Sequence, residues 1–136
     1  MLANLFDGTS IPVAQELLSF TEARHQLLVG NIANLDVPGY RTRDYSVDTF
    51  QQHLAEAIKL RSQSHQPLSA GQTLAGQDPL DSVKESTRHI LYHDGSDVGL
   101  EQQVTELSKN QFNHSIAIAI MTSQFRLLQS AISERV

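Results

Sequence analysis

The chain has 136 residues, a formal net charge of -5 and no cysteine, which suits one modest domain and excludes disulfide frameworks and thiolate metal sites. Its acidic balance, with no run of Lys or Arg, argues against a phosphate-backbone binder, so nucleic acid is not an expected partner. Apolar content of 40% is below the ~45–50% of ordinary globular chains, and no segment approaches the ~20 apolar residues of a transmembrane span.

The first nine residues are mixed, with a turn signal at Asp7-Gly8. No Lys or Arg precedes Arg24 and there is no continuous apolar run, so the start does not read as a secretory signal peptide. Ser10 followed by Pro12 predicts a helix start, with a side-chain oxygen to cap and a proline in the first turn. The helix is expected from Pro12 to Asn34 and is stopped by Pro38-Gly39. Leu17, Phe20 and Leu27 form one apolar stripe, and Leu18, Leu28, Ile32 and Leu35 an adjacent one, so the helix should meet more than one neighbour. Arg24 and His25 interrupt this face.

Gly39 to Val47 reads as extended, and a short amphipathic helix is expected from Asp48 to Leu60, with Phe50, Leu54, Ala57 and Ile58 on its apolar side. Arg61 to Pro79, rich in Ser, Gln and Gly, has too little apolar surface to offset its ordering entropy and is expected to be mobile in an isolated monomer. Leu80 to Tyr92 fits either a helical turn or an edge strand, and His93 to Ser96 is a turn.

The last third carries the strongest periodicity. Leu100, Val104, Leu107, Ile118, Met121, Phe125, Leu128 and Ile132 fall at alternating steps of four and three, with Gln111 and His114 at the two remaining stations. One helix from near Gly99 to the end would be roughly 50 Å long at about 1.5 Å per residue, too long for so short a chain to bury. Ser115 to Ile120 alternates with period two, yet length and flanking heptads favour helix. No formally charged residue lies between Lys109 and Arg126, as expected of a helix surrounded on several sides inside an assembly. If the first and last helices pair antiparallel with Val13 near Ile132, Ile32 reaches positions 113–114. Asn31 and Asn34 would then meet Asn110, Gln111 and His114 as a polar layer that fixes register. The other reading leaves Gln111 and His114 facing solvent or the middle of the chain.

Catalytic signatures are sparse. His89 and His93 stand at i and i+4, but Ile90 occupies the position where a zinc-protease pattern needs Glu. Asp78, Asp81 and Glu85 read as a solvated face, and neither a phosphate-cradling glycine loop nor a Gly-x-Ser-x-Gly elbow occurs. No catalytic residue, cofactor site or metal site is expected.

The segment Gly30-Asn31-Ile32-Ala33-Asn34-Leu35-Asp36-Val37-Pro38-Gly39-Tyr40-Arg41 resembles a signature of the bacterial flagellar axial proteins. There an Asn-Ile-Ala-Asn helix end runs into a Pro-Gly-Tyr turn and a basic residue. The stretch His93-Asp94-Gly95, Val98, Leu100-Glu101 and Asn110, followed by a long apolar helix, resembles the tail of the same family. Val37 stands where the family usually has Thr, Gly99 where it often has Asp, and His114 in place of a common Tyr. Physically, Pro-Gly suits a type II turn, and asparagines suit a fraying helix end because they tolerate left-handed backbone. Tyr40 could fold back onto the helix pair.

The resemblance implies a mainly α, non-enzymatic structural subunit of the basal-body rod, built on a coiled-coil-like hairpin of antiparallel terminal helices. Residues 1–40 and 99–136 would form one helical core, with 41–98 a variable, partly flexible middle. It further implies export through the flagellar type III apparatus, self-association in a helical assembly, and contacts with other rod subunits and the adaptor joining rod to membrane ring. A second class of rod subunit shares the first motif, and Gly95 to Glu101 favours the proximal class. A soluble helical adaptor or export chaperone is the alternative of a different kind.

Overall fold

A computed structural model describes residues 10–64, 83, 88–89 and 99–133. In order these form α1 (Ile11–Ala33), β1 (Arg43–Asp44), α2 (Val47–Ser64), β2 (Arg88–His89) and α3 (Leu100–Ser133). The helices α1 and α3 run antiparallel against each other, so the expected mainly α hairpin is present. The expectations for Asp7-Gly8, for most of 65–98, including His93 and Asp94, and for 134–136 fall outside the described residues.

The ends of α1 follow local chemistry, with one difference. Pro12 occupies the first turn, but Ser10 makes no side-chain cap; its carbonyl accepts from the Ala14 amide at 2.9 Å. At the other end Asn34 closes the helix with φ -110°, so it does not adopt the left-handed backbone anticipated for it. Its side-chain Nδ2 donates to the Gly30 carbonyl at 2.8 Å, the same acceptor that its backbone amide reaches at 3.2 Å, so side chain and main chain converge on one carbonyl at the helix end. The chain then turns through Val37-Pro38-Gly39-Tyr40: the Tyr40 amide donates to the Val37 carbonyl at 3.0 Å, and Gly39 has φ 80°. That is the expected type II turn, which needs positive φ at its third residue.

β1 and β2 form a two-stranded antiparallel ladder pairing Arg43 with His89 and Asp44 with Arg88, which decides for strand at these positions in Leu80–Tyr92. The helix α2 starts where Ser46 Oγ accepts from the Thr49 amide at 3.2 Å, and it runs four residues beyond the expected end at Leu60. Phe50 and Ala57 are its buried positions, and Ile58 is exposed.

Two faces of α1 are used. Phe20 stacks on Phe50 with ring centroids 4.0 Å apart and planes 10° apart, and Val83 completes this core beside Leu17, Ala23, Tyr45, Val47 and Leu54. Ala14, Thr21 and Leu28, with Arg24 and Asn31 between and after them, form a buried heptad row on another face. Arg24 therefore does not interrupt the apolar face; it is a buried member of the helix pair.

Its guanidinium joins three elements. Nε and Nη2 donate to the two carboxylate oxygens of Asp44 in β1, at 2.8 and 2.5 Å, and Nη2 also reaches Glu106 Oε2 in α3 at 2.8 Å. Planar bidentate geometry of this kind is what makes a buried Arg–carboxylate pair tolerable. Replacing Arg24 with Ala should cost about 3–5 kcal/mol, because the Asp44 carboxylate stays buried without its partner. Urea denaturation followed by far-UV circular dichroism would measure this. Replacing Arg24 and Asp44 together with Met and Leu should recover a large part of the loss.

Candidate functional site

The surface most relevant to function is α3, seen from its two sides. Its inner side meets α1 through a seam that is mostly polar. Gln103, Asn110 and Ala117 recur every seven residues and are the buried positions of the helix. Leu107, His114, Met121 and Leu128 form the half-buried row beside them.

Most polar groups in the seam have a specific partner. Asn31, fully buried, donates from Nδ2 to the Arg43 carbonyl at 2.6 Å and to Gln103 Oε1 at 3.2 Å. Its Oδ1 accepts from Tyr40 Oη at 3.1 Å and from the Arg43 amide at 3.2 Å. Two donors and two lone pairs are thereby all engaged, the full capacity of an asparagine side chain. Tyr40 does fold back, and the atom it meets is Asn31 Oδ1. Further along, Asn110 Nδ2 donates to the Thr21 carbonyl at 2.7 Å. Thr21 Oγ1 donates to the Leu18 carbonyl at 3.0 Å, so its 3.0 Å contact with His114 Nδ1 requires the ring N–H to donate.

These bonds correct the expected register. Pairing Val13 with Ile132 sets Ile32 opposite positions 113–114, but its neighbour Asn31 bonds Gln103, about three helical turns nearer the start of α3. Asn34 contributes only to its own helix end, and Gln111 is exposed instead of joining a polar layer. A polar layer does exist, made by Thr21, Arg24 and Asn31 with Gln103, Glu106, Asn110 and His114. The expectation failed because it aligned helix ends, whereas buried donors and acceptors set register through the partners they require.

The heptad row read from the sequence splits in two. Leu107, His114, Met121 and Leu128 turn towards α1, while Val104, Ile118, Phe125 and Ile132 are exposed, as is Leu100. Along the other flank of α3, Phe112, Ile116, Ile120 and Leu127 are also exposed, Phe112 by 65% and Leu127 by 61%. Monomeric proteins rarely leave so extended an apolar surface uncovered. In the motif, Ile32 and Asn34 are half-buried, and Ala33, Pro38 and Gly39 are exposed.

Sequence reasoning missed Thr21, Arg24, Asp44, Gln103 and Glu106. The seven-residue recurrence of Gln103, Asn110, Ala117 and Gln124 was available as a signal, but apolar periodicity does not register a seam built from amides. Among the described residues no group of three or more His, Asp or Glu converges as a metal site would require. Likewise, no described helix is long and apolar enough to cross a membrane.

The charged groups respond to one another. Burial would lower the Arg24 pKa, but Asp44 and then Glu106 outweigh it and hold the guanidinium above its ordinary value. For Glu106 burial pushes the carboxyl up, and hydrogen bonds from Lys109 and Arg24 overcome this and hold it below the usual range. Lys109 Nζ lies 2.8 Å from Glu106 Oε1.

No protein-family model matches the chain. Among curated proteins it is 23% identical over 130 residues to the flagellar basal body rod protein FlgB of Bacillus subtilis, spanning 96% of this chain and 97% of that one. The FlgB protein of Salmonella typhimurium is 23% identical over 125 residues, covering 87% of this chain and 88% of its own. That of Borrelia hermsii is 28% identical over 137 aligned positions, covering 95% and 98%.

Two outcomes follow from the seam. Asn31→Ala should destabilise the chain by about 3 kcal/mol, since it strands the Gln103 amide, the Tyr40 hydroxyl and the Arg43 backbone together; thermal unfolding would read this. Glu106 has a depressed folded pKa, so its contribution is complete above the ordinary carboxylate value near 4.3 and is lost as pH falls through the lowered one. The urea midpoint should therefore decline below about pH 4, and Glu106→Gln should flatten that part of the profile.

Proposed function

We propose that the chain, similar along most of its length to FlgB flagellar basal body rod proteins, serves as a structural subunit of the proximal rod. The single observation that carries the reading is the outward side of α3. Phe112, Ile116, Ile120 and Leu127 are exposed along a helix with no formally charged residue between Lys109 and Arg126. A 34-residue helix has room for neighbours on several sides once α1 occupies one. Heterologous contacts that do not close into a ring generate helical stacks, as a rod requires.

In this reading residues 1–40 and 99–136 act as one helical core, and 41–98 as a variable middle docked on it through the Phe20–Phe50 stack. The core packs against other rod subunits and against the adaptor that joins the rod to the membrane ring. Torque is carried as compression and shear across these helix contacts in the periplasmic part of the basal body. The subunit reaches that place through the flagellar type III apparatus. Its role is mechanical, and no residue acts as a catalyst or cofactor ligand. A soluble chaperone would instead be expected to cover its own apolar helix surface by dimerising, and the length-wide similarity to rod proteins does not favour it.

Replacing Leu127 with Asp should reduce the amount of subunit retained in purified basal bodies about tenfold or more, since a carboxylate would be buried in an apolar contact. Circular dichroism of the isolated chain should be unaffected, because Leu127 is exposed there. Undiminished incorporation of this variant would sink the assignment of the outer face.

A further inference from the structure

A polar groove lies beside the α1–α3 seam. It has a volume of about 510 Å³ and is lined by Thr21, Glu22, His25 and Gln26 of α1 and by Asn110, Gln111 and His114 of α3. The side chains of Glu22, His25, Gln26 and Gln111 make no hydrogen bond or ion pair with the rest of the described chain. Asn110 Oδ1, buried, accepts no hydrogen bond. His114 commits its Nδ1–H to Thr21, so the neutral ring keeps Nε2 as an acceptor. Carboxylate, amide oxygen and imine nitrogen all call for donors, and the Glu22 charge selects a positive one.

The outer side of α3 poses the complementary problem. Arg126 is exposed between Phe125 and Leu127, both also exposed, and makes no ion pair or hydrogen bond among the described residues. Between Asn110 and Ser133 α3 holds no carboxylate. Covering this end of the helix in an assembly would bury a guanidinium with no counter-charge in the same half of the helix, which is unfavourable. The occupant must bring an acceptor with it.

We propose that Arg126 of one copy of this chain docks into the groove at Glu22 of the next, so that the apolar end of α3 and its single cation are covered together. The inference rests on the rod-subunit reading. The contact is head-to-tail: one subunit offers the groove near the middle of its hairpin, the next offers the far end of α3. A heterologous contact of that kind propagates as an open helix wherever its rotation does not close a ring.

The absence of cysteine permits a direct test with the pair Glu22→Cys and Arg126→Cys in the full chain. Within one chain the two positions cannot be bridged. Thr21 sits opposite Asn110 and His114, so Arg126 lies twelve or more residues further along α3, about 18 Å at 1.5 Å per residue. A disulfide needs Cα atoms within about 7 Å. Oxidation of basal bodies carrying the double variant should give linked dimers and higher multimers, and neither single variant should give them. In parallel, Glu22→Arg and Arg126→Glu should each lower incorporation about tenfold, and the combined exchange should restore it, with circular dichroism reporting that each variant folds. Wild-type subunit absent from basal bodies would overturn the rod reading itself. Wild-type subunit present, but with no disulfide ladder and no rescue by the exchange, would overturn this docking alone. That second result would also follow if another rod protein supplied the cation.

Discussion

The structure depends on the need to satisfy buried polar groups where two helices meet. Arg24, Asn31, Gln103 and Asn110 are all buried within a contact that an apolar coiled coil would fill with Leu and Ile. A polar seam contributes less to stability than an apolar one of the same area, but it discriminates between registers. Sliding α3 by one turn would separate Asn31 from Gln103, Thr21 from Asn110 and Arg24 from Glu106 together, leaving each desolvated. The hairpin is thus held by specificity as much as by hydrophobic burial.

The same network ties the hairpin to what lies between its arms. Arg24 reaches Asp44 in β1 as well as Glu106 in α3, and Asn31 holds both backbone groups of Arg43. The Asn-Ile-Ala-Asn/Pro-Gly-Tyr segment therefore does more than stop a helix. The type II turn returns the chain so that Tyr40 and Arg43 can reach Asn31, and Gly39 is needed there because φ is +80°. Helix end, turn, strand and partner helix become one hydrogen-bonded unit.

A division of labour on α3 follows. Its buried positions towards α1 are amides and a small side chain, flanked by half-buried Leu107, Met121 and Leu128, and its other large apolar side chains are exposed. In a monomeric protein this distribution would be inverted. In the rod subunit proposed above, the outward side chains would be the ones that neighbours cover, and a polar inner seam leaves the strongest hydrophobic surface for assembly.

Much of this was legible in the sequence. The extents of α1 and α3, the Pro-Gly turn, the α2 face bearing Phe50, Leu54 and Ala57, and the resemblance to flagellar axial proteins all came from local pattern: periodicity, breakers and a motif, which depend on residues near one another in the chain. The tertiary structure alone decided which of two overlapping heptad rows faces α1, and in what register. The row of Leu107, His114, Met121 and Leu128 is shared by both readings. The choice between Val104, Ile118 and Phe125 on one side and Gln103, Asn110 and Ala117 on the other turned on partners twenty to ninety positions away, Asp44 for Arg24 and Thr21 for Asn110. Hydrophobic periodicity weighs apolar residues only. Hydrogen-bond complementarity between distant side chains, which here outweighs it, has no period to read.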